Sequence, residues 1–181
     1  TGRSGAPGSQ RADRMSEEPP QLGSVAGPTV IVDDERDDPD PAQPVDMSRW
    51  EALVADVLLA EGLGDRPVEV HLHFVDEPSI EVLNREHMDG SGPTDVLAFP
   101  VDDPAEVPMD VPVLLGDVVV CPSVAASQAP EHAGDYHTEL ALLVVHGVLH
   151  LLGNDHADPD QAVAMQTKER DHLARHGMER P

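Results

Sequence analysis

The chain has 181 residues, enough for one domain of ordinary size. It carries 35 acidic and 11 basic side chains, and its net charge of −24 argues against a protein that coats nucleic acid or anionic membranes by bulk attraction. Aromatic residues make up 2% of the chain and there is one cysteine, which disfavours a base-stacking platform and excludes an internal disulfide or a multi-cysteine metal site.

Residues 1–27 are rich in Gly, Ser, Pro, Arg and Glu and lack an apolar pattern, so they are predicted to form a disordered tail. Neither this tail nor any later segment resembles a secretory signal or a membrane span. We therefore expect a cytoplasmic protein with no membrane partner.

The domain is predicted to span 28–177 and to be followed by a C-terminal tail, 178–181. Its first strand is predicted over 29–32, and an acidic, proline-rich connector over 33–44 follows.

A helix is predicted after the connector. Ser48 and Glu51 have the spacing of a capping box, and apolar side chains then recur at helical spacing until Gly62. Strict alternation of apolar and polar residues over 68–75 predicts a strand with one buried face. Asp76 is predicted to cap the short helix that follows this strand.

Two strands and three helices are predicted in the second half of the chain. The strands are expected over 95–101 and 113–121, and a short helix is expected after Pro122. A longer helix is predicted over 136–152, and Gly153 ends it.

The last predicted helix has Asp158 as its cap and Pro159 at its first position, and it ends at Gly177. The order of elements is strand, helix, strand, helix, two strands and then helices. This order predicts an α+β fold in which helices pack on one small mixed sheet.

The segment 146–156, HGVLHLLGNDH, carries the strongest chemical signal. His146 and His150 lie four apart on the predicted helix, so their side chains leave one face about 5–6 Å apart, a separation that suits two imidazoles on one ion. Gly153 can adopt a left-handed conformation and turn the chain back, which brings His156 to the same ion. Three histidines with one open position are the ligand set of a catalytic zinc. The sequence therefore predicts one Zn²⁺ per chain.

The remaining histidines lack this support. An isolated histidine on an apolar helix is more often a hydrogen-bonded core residue than a metal ligand. His71 and His73 lie two apart on one face of a predicted strand and could form a weak surface pair. Four others are predicted to be solvated and are not assigned to the metal: His132, His137, His172 and His176.

The histidine spacing also matches the zinc helix of the metzincin proteases, in which a glutamate after the first histidine is the general base. This chain has Gly147 at that position. Without the carboxylate, a peptidase loses its proton acceptor. Zinc itself lowers the pKa of the water it binds toward about 7, and a phosphodiester can bind the metal through its own oxygens. The missing glutamate therefore favours a hydrolase that is not a peptidase.

Three segments of the chain are similar to the signatures of one known family. Residues 93–100 read PTDVLAFP, residues 116–120 read GDVVV and residues 146–156 read HGVLHLLGNDH. They resemble, in the same order, the elements P-T-D-V-L-S-F-P, G-D-I and H-G-x-L-H-L-x-G-Y-D-H of the YbeY-type bacterial rRNA-maturation endoribonucleases. The similarity spans about 28–177.

The resemblance implies a zinc-dependent endoribonuclease that cleaves single-stranded RNA and acts in 16S rRNA 3′-end maturation and ribosome quality control. It implies a four-stranded sheet with flanking helices, distantly similar to the zinc proteases (a zincin-like fold). The implied partners are the 16S rRNA precursor and the ribosome or a ribosomal protein, and not DNA. Two alternatives stay open: a non-catalytic, zinc-stabilised ribosome-binding factor and, disfavoured by Gly147, a small metallopeptidase.

The chain departs from the family pattern at one position that matters for RNA contact. Many members have an arginine where this chain has Met88, and that arginine would contact phosphate or stabilise charge in the transition state. Arg85, one helical turn earlier, is the candidate substitute, and a solvated helix residue is the alternative interpretation. Asn154 and Ala98 replace the usual Tyr and Ser, but neither is a ligand position.

Carboxylates near the predicted site have two interpretations each. Asp155 could orient a ligand imidazole or take a proton, or it could only shape the turn. Asp95 opens a strand after a Gly-Pro loop, where Asp often fixes a turn, and the family resemblance adds a role in lining the site. Glu139 lies two helical turns before the first histidine and could support it. Cys121 is predicted to be a buried structural thiol.

Overall fold

The computed structural model of the protein describes residues 27–180. The tail predicted over 1–27 lies, apart from its last residue, outside this range. The strands are β1 (Thr29–Asp34), β2 (Val68–Phe74), β3 (Val96–Pro100) and β4 (Val113–Val120). The helices are α1 (Met47–Ala60), α2 (Glu77–Met88), α3 (Pro122–Gln128), α4 (Tyr136–Leu151) and α5 (Pro159–Arg175), and a 3₁₀ turn at Ala129–Glu131 joins α3 to the segment before α4.

The four strands form one mixed sheet in the order β1-β2-β4-β3. β1, β2 and β4 are parallel, and β3 pairs antiparallel with β4 at one edge. The α+β fold with a small four-stranded mixed sheet and flanking helices is therefore confirmed. α4 packs against β3 and β4, so the helix that carries the first two predicted ligands lies beside the edge strand.

The alternation in β2 separates the two faces of the sheet. Val68, Val70, Leu72 and Phe74 are buried in the main core, which α1, α4 and α5 complete. The residues between them, His71 and His73 among them, are partly exposed on the opposite face. α2 covers one end of that opposite face through the fully buried Ile80.

Two of the three predicted helix caps are present. The carboxylates of Asp76 and Asp158 accept hydrogen bonds from the backbone N–H groups of Ser79 and Gln161. The capping box predicted at Ser48 is wrong, because α1 begins earlier, at Met47. Its cap is Asp46, which accepts from the N–H of Arg49 at 3.3 Å. Asp caps as well as Ser does, and the earlier start adds backbone hydrogen bonds to the helix.

Within residues 27–180, no helix is both long enough and apolar enough to cross a membrane.

Candidate metal centre

The C-terminal end of α4 brings the three predicted histidines together. His146 and His150 share one face of the helix, which ends at Leu151. Gly153 then adopts φ +80°, a left-handed conformation that L side chains rarely take. The side chain of Asn154 donates a hydrogen bond to the carbonyl of Leu149 at 3.0 Å, which holds the reversal that returns the chain toward α4.

The geometry of the three imidazoles fits one metal ion. One nitrogen from each of His146, His150 and His156 lies within 4.8 Å of the others. The Nε2 atoms of His146 and His150 are 3.1 Å apart, and two nitrogens bound to one tetrahedral zinc lie roughly 3.3 Å apart. The ring centroids are separated by 4.6, 5.1 and 5.5 Å. The imidazoles therefore converge on one point.

Glu169, on α5, fixes the orientation of the first histidine. Its buried carboxylate lies 2.8 Å from Nδ1 of His146 and accepts a hydrogen bond from Nε of Arg180 at 2.6 Å. Burial opposes ionisation of Glu169, but the hydrogen bonds from these two partners outweigh it and lower its pKa. An ionised carboxylate only accepts hydrogen bonds, so the proton of His146 sits on Nδ1. The lone pair of Nε2 then faces the other histidines, as a metal ligand requires.

Glu169 was not predicted from the sequence, although a signal for it exists. It lies between Met165 and Leu173 at intervals of four residues on α5, and both of these side chains are buried. A carboxylate inside an apolar stripe needs a partner, so its position alone indicates a buried polar contact. The identity of the partner depends on how α5 packs against α4.

Burial lowers the pKa of His150, and the neighbouring His146 and His156 lower it further. Charging one imidazole in this group places positive charges close together, which disfavours the protonated form. His150 is therefore held in the neutral form, which is the form that binds a metal.

Two adjoining cavities flank the histidines. The first, of about 250 Å³, extends toward α5 and the second, of about 540 Å³, extends along β3. Both are lined by Val96, His146 and His156. The histidines thus lie between two adjoining cavities, which together form the groove of the candidate site.

The two predicted aspartates contact the backbone near the site. Asp155 accepts a hydrogen bond from its neighbour, the N–H of His156, at 2.7 Å and lines the second cavity. This contact fits a role in shaping the turn, while the charge of Asp155 also acts on His150, so both roles considered for Asp155 are compatible with its position. The carboxylate at Nδ1 of His146 is that of Glu169. Asp95 accepts from the N–H of Val96 at 2.8 Å and also lines the first cavity. Both roles considered for Asp95 are thus compatible with its position.

The predicted arginine lies away from the groove. Arg85 is exposed on α2 and is not among the described residues that line the two cavities. Met88, three residues later on the same helix, lines the second cavity. The arginine that lines the first cavity is Arg180, from the segment predicted as a C-terminal tail. Met178, in the same segment, packs against the main core, which positions Arg180 beside α5.

The structure also shows the surroundings of three other residues for which the sequence led to an expectation. Glu139 is fully buried but lies 2.8 Å from Nδ1 of His132 and does not support His146. The prediction that His172 is solvated is wrong. Its side chain, on α5, is buried, and its Nε2 lies 2.9 Å from the carboxylate of Glu61. Cys121 is fully buried, as predicted.

Gly147 faces the sheet at a point where α4 has no room for a side chain. A Cβ atom added there would lie 2.5 Å from Cγ1 of Val118 and 3.3 Å from Cγ2 of Val96. Val118 is fully buried in β4, so it cannot move away without disturbing the core. The glutamate of a zinc peptidase is therefore excluded by packing as well as missing from the sequence.

The chain is similar to known proteins over most of its length. A family model described as Endoribonuclease YbeY matches residues 36–177. An Endoribonuclease YbeY from Mycobacterium sp. (strain KMS) is 39% identical over 135 residues, which cover 71% of this chain and 76% of that protein. An Endoribonuclease YbeY from Halorhodospira halophila is 39% identical over 136 residues, or 75% of this chain and 86% of that protein.

A solved structure shares the fold at lower identity. The solution structure of a Thermotoga maritima protein superposes with a TM-score of 0.53 at 21% identity, and it covers 82% of this chain and 92% of the other. At this identity the likeness concerns the fold alone. The family model and the curated relatives, which match most of the chain, show that it belongs to the YbeY family of endoribonucleases.

Proposed function

We propose that this protein is a zinc-dependent endoribonuclease of the cytoplasm that cleaves single-stranded RNA. The observation that carries the proposal is the convergence of His146, His150 and His156 in the middle of a groove, with the Glu169 carboxylate on the far nitrogen of His146. Three histidine nitrogens that converge with no fourth ligand among residues 27–180 are typical of a catalytic zinc. Family membership supplies the substrate class, RNA.

The side chains of the site have separate tasks in this proposal. His146, His150 and His156 would hold the zinc, which would supply a Lewis acid for a phosphate oxygen and for a nucleophilic hydroxyl group. Glu169 holds His146 in the tautomer whose Nε2 faces the groove. Arg180 brings a guanidinium to the wall of the first cavity, where a phosphate of the bound strand would gain charge-assisted hydrogen bonds.

The acidic composition limits how RNA can be captured. The net charge of −24 opposes capture of phosphates by bulk attraction, so we expect capture to depend on the metal, on a local cation or on a partner. We therefore include the ribosome or a ribosomal protein as the partner and the 16S rRNA precursor as the substrate, with 3′-end maturation and ribosome quality control as the processes. The candidate nucleophiles are water and the 2′-hydroxyl of the RNA. DNA lacks the 2′-hydroxyl, and it is not a proposed substrate.

The main test compares RNA with peptides. The zinc-loaded protein receives single-stranded RNA, duplex RNA and unstructured peptides in parallel, and His150→Ala controls for contaminating nuclease. We expect cleavage of single-stranded RNA alone, abolished by a chelator and by the substitution. Peptide cleavage that His150→Ala removes, with RNA untouched, would indicate a metallopeptidase. Ribosome binding with neither activity would indicate a binding factor.

A second test concerns the cation that contacts RNA. We expect Arg180→Gln to weaken cleavage more than Arg85→Ala, because Arg180 lines the groove and Arg85 does not. Arg85 remains the alternative predicted from the sequence. A larger effect of Arg85→Ala, with unchanged zinc content in both variants, would assign the phosphate contact to α2.

A further inference from the structure

The face of the sheet opposite α4 carries a second group of residues with metal-binding side chains. His71 and His73 lie two apart on β2 and therefore share one face of the strand. Asp117, on β4, is the direct partner of His71 in the parallel ladder. One nitrogen or oxygen atom from each of the three lies within 4.8 Å of the others. Because Leu72, between the histidines, points into the main core, this group and the groove lie on opposite faces of the sheet.

In one respect the environment of His73 resembles that of His146, because a carboxylate lies at one of its ring nitrogens. Nδ1 of His73 lies 2.6 Å from Oε1 of Glu35, while its Nε2 lies 3.1 Å from Oδ1 of Asp117. A carboxylate on one ring nitrogen, with the other nitrogen directed at a second ligand group, is the usual arrangement of a metal-bound histidine. Glu35 thus contacts Nδ1 of His73 as Glu169 contacts Nδ1 of His146, although the Glu35 side chain is 53% exposed and that of Glu169 is 4% exposed.

The surroundings favour a cation and leave it a path from solvent. Glu69 lies 3.0 Å from Nε2 of His71, and Asp33 is the partner of His73 in the ladder with β1. The side chains of His71 and His73 are 29% and 21% exposed, and their rings are stacked with centroids 6.0 Å apart. Each imidazole therefore has carboxylates around it and an open side.

We propose that His71, His73 and Asp117 form a second binding site, for a divalent transition metal of the zinc class, with Glu35 holding His73 in position. Two imidazoles and one carboxylate suit zinc, copper or nickel, whereas magnesium and calcium prefer oxygen ligands alone. The site lies outside the groove, so the proposal is independent of the proposed nuclease function.

The competing explanation is a set of ion pairs without metal. A protonated His73 could bridge Glu35 and Asp117 at the same distances. The two explanations differ in the number of metal ions that the chain binds. A metal count with matched variants therefore decides between them.

The experiment is equilibrium dialysis of chelator-stripped full-length protein against micromolar Zn²⁺, followed by elemental analysis. We expect two zinc ions in the wild type and one in the double variant His146→Ala/His150→Ala. His71→Gln is also expected to bind one, with RNA cleavage unchanged. His176→Gln, which alters a partly exposed histidine paired with Asp56 at 3.2 Å, is the matched control and is expected to retain two.

A spectroscopic measurement detects zinc at His71 and His73 directly, so the conclusion does not depend on whether the His71→Gln variant folds. In the double variant His146→Ala/His150→Ala, zinc is expected to shift the imidazole ¹⁵N resonances of His71 and His73 together. A single zinc in the wild type that is lost in His146→Ala/His150→Ala, or two that persist in both His71→Gln and Asp117→Asn, would overturn the proposal. Absence of the nitrogen shifts would do the same. None of these outcomes depends on whether the protein cleaves RNA.

Discussion

Replacement of Glu169 by glutamine tests whether a carboxylate on α5 tunes the metal centre on α4. The substitution preserves the shape of the side chain but removes its charge, 2.8 Å from Nδ1 of His146 in a buried environment. The amide can also donate to Nδ1, which would place the proton on Nε2 and block the ligand atom. We therefore expect weaker zinc binding with the fold retained.

The expected magnitude follows from the burial and directness of this contact. Loss of a hydrogen-bonding partner of a metal-bound histidine typically weakens metal affinity by about 10–100-fold, which corresponds to roughly 1.4–2.7 kcal/mol of binding free energy. The assay is competition with a chromophoric zinc chelator at constant pH. Thermal unfolding of the metal-free proteins shows whether the variant is folded without zinc.

Two control variants separate the metal effect from a general effect on α5. Glu61→Gln removes another carboxylate that pairs with a histidine of α5, His172, at a distance from the groove, and zinc affinity is expected to stay unchanged. Arg180→Gln removes the other partner of Glu169 and is expected to have a smaller effect than Glu169→Gln. Wild-type zinc affinity in a folded Glu169→Gln protein would refute the role assigned to this carboxylate.

Three further predictions concern packing, salt and pH. Gly147→Ala is expected to destabilise the protein by about 1–3 kcal/mol in urea unfolding, because its Cβ would lie 2.5 Å from Val118; an unchanged midpoint would contradict the packing argument. The slope of log affinity for single-stranded RNA against log salt is expected to lie between about −1 and −3, from about −0.7 per phosphate contact, and a slope steeper than about −5 would indicate an overlooked basic surface. Burial opposes the ionisation of Glu61, but hydrogen bonds from Lys168 and His172 outweigh it and lower its pKa below 4.5. Its ionised form therefore stabilises the fold above about pH 4.5, and this contribution is lost as pH falls through the lowered pKa. Acid titrations of stability for the wild type and Glu61→Gln are expected to converge at low pH, and parallel curves would argue against this linkage.

The local pattern of the sequence was sufficient to predict most of the helices and strands. Alternation over 68–75 predicted β2, and Asp76 and Asp158 marked the starts of α2 and α5. These features depend on neighbours in the chain, so periodicity and capping reveal them. The predicted start of α1 was wrong because both Asp46 and Ser48 could cap the helix. The choice between them depends on the packing of the whole helix.

The convergence of His146, His150 and His156 could also be predicted, because a helical interval of four and a glycine at the helix end are local geometry. The partners of these histidines could not. Glu169 follows His146 by 23 residues and reaches it only because α5 packs on α4, and Arg180 reaches Glu169 from beyond the end of α5.

The difference between local patterns and contacts of distant segments also explains the residues whose surroundings were predicted wrongly. His172 has a polar sequence neighbourhood and was expected to be solvated, yet the packing of α5 against the end of α1 buries it beside Glu61. Gly147 was recognised as a missing carboxylate, but the reason for the glycine is Val118 on a distant strand. The sequence by itself determined the elements and the metal-binding motif, since both follow from backbone periodicity. Only the tertiary structure decided which charged groups surround that motif, because those contacts join segments that are far apart along the chain.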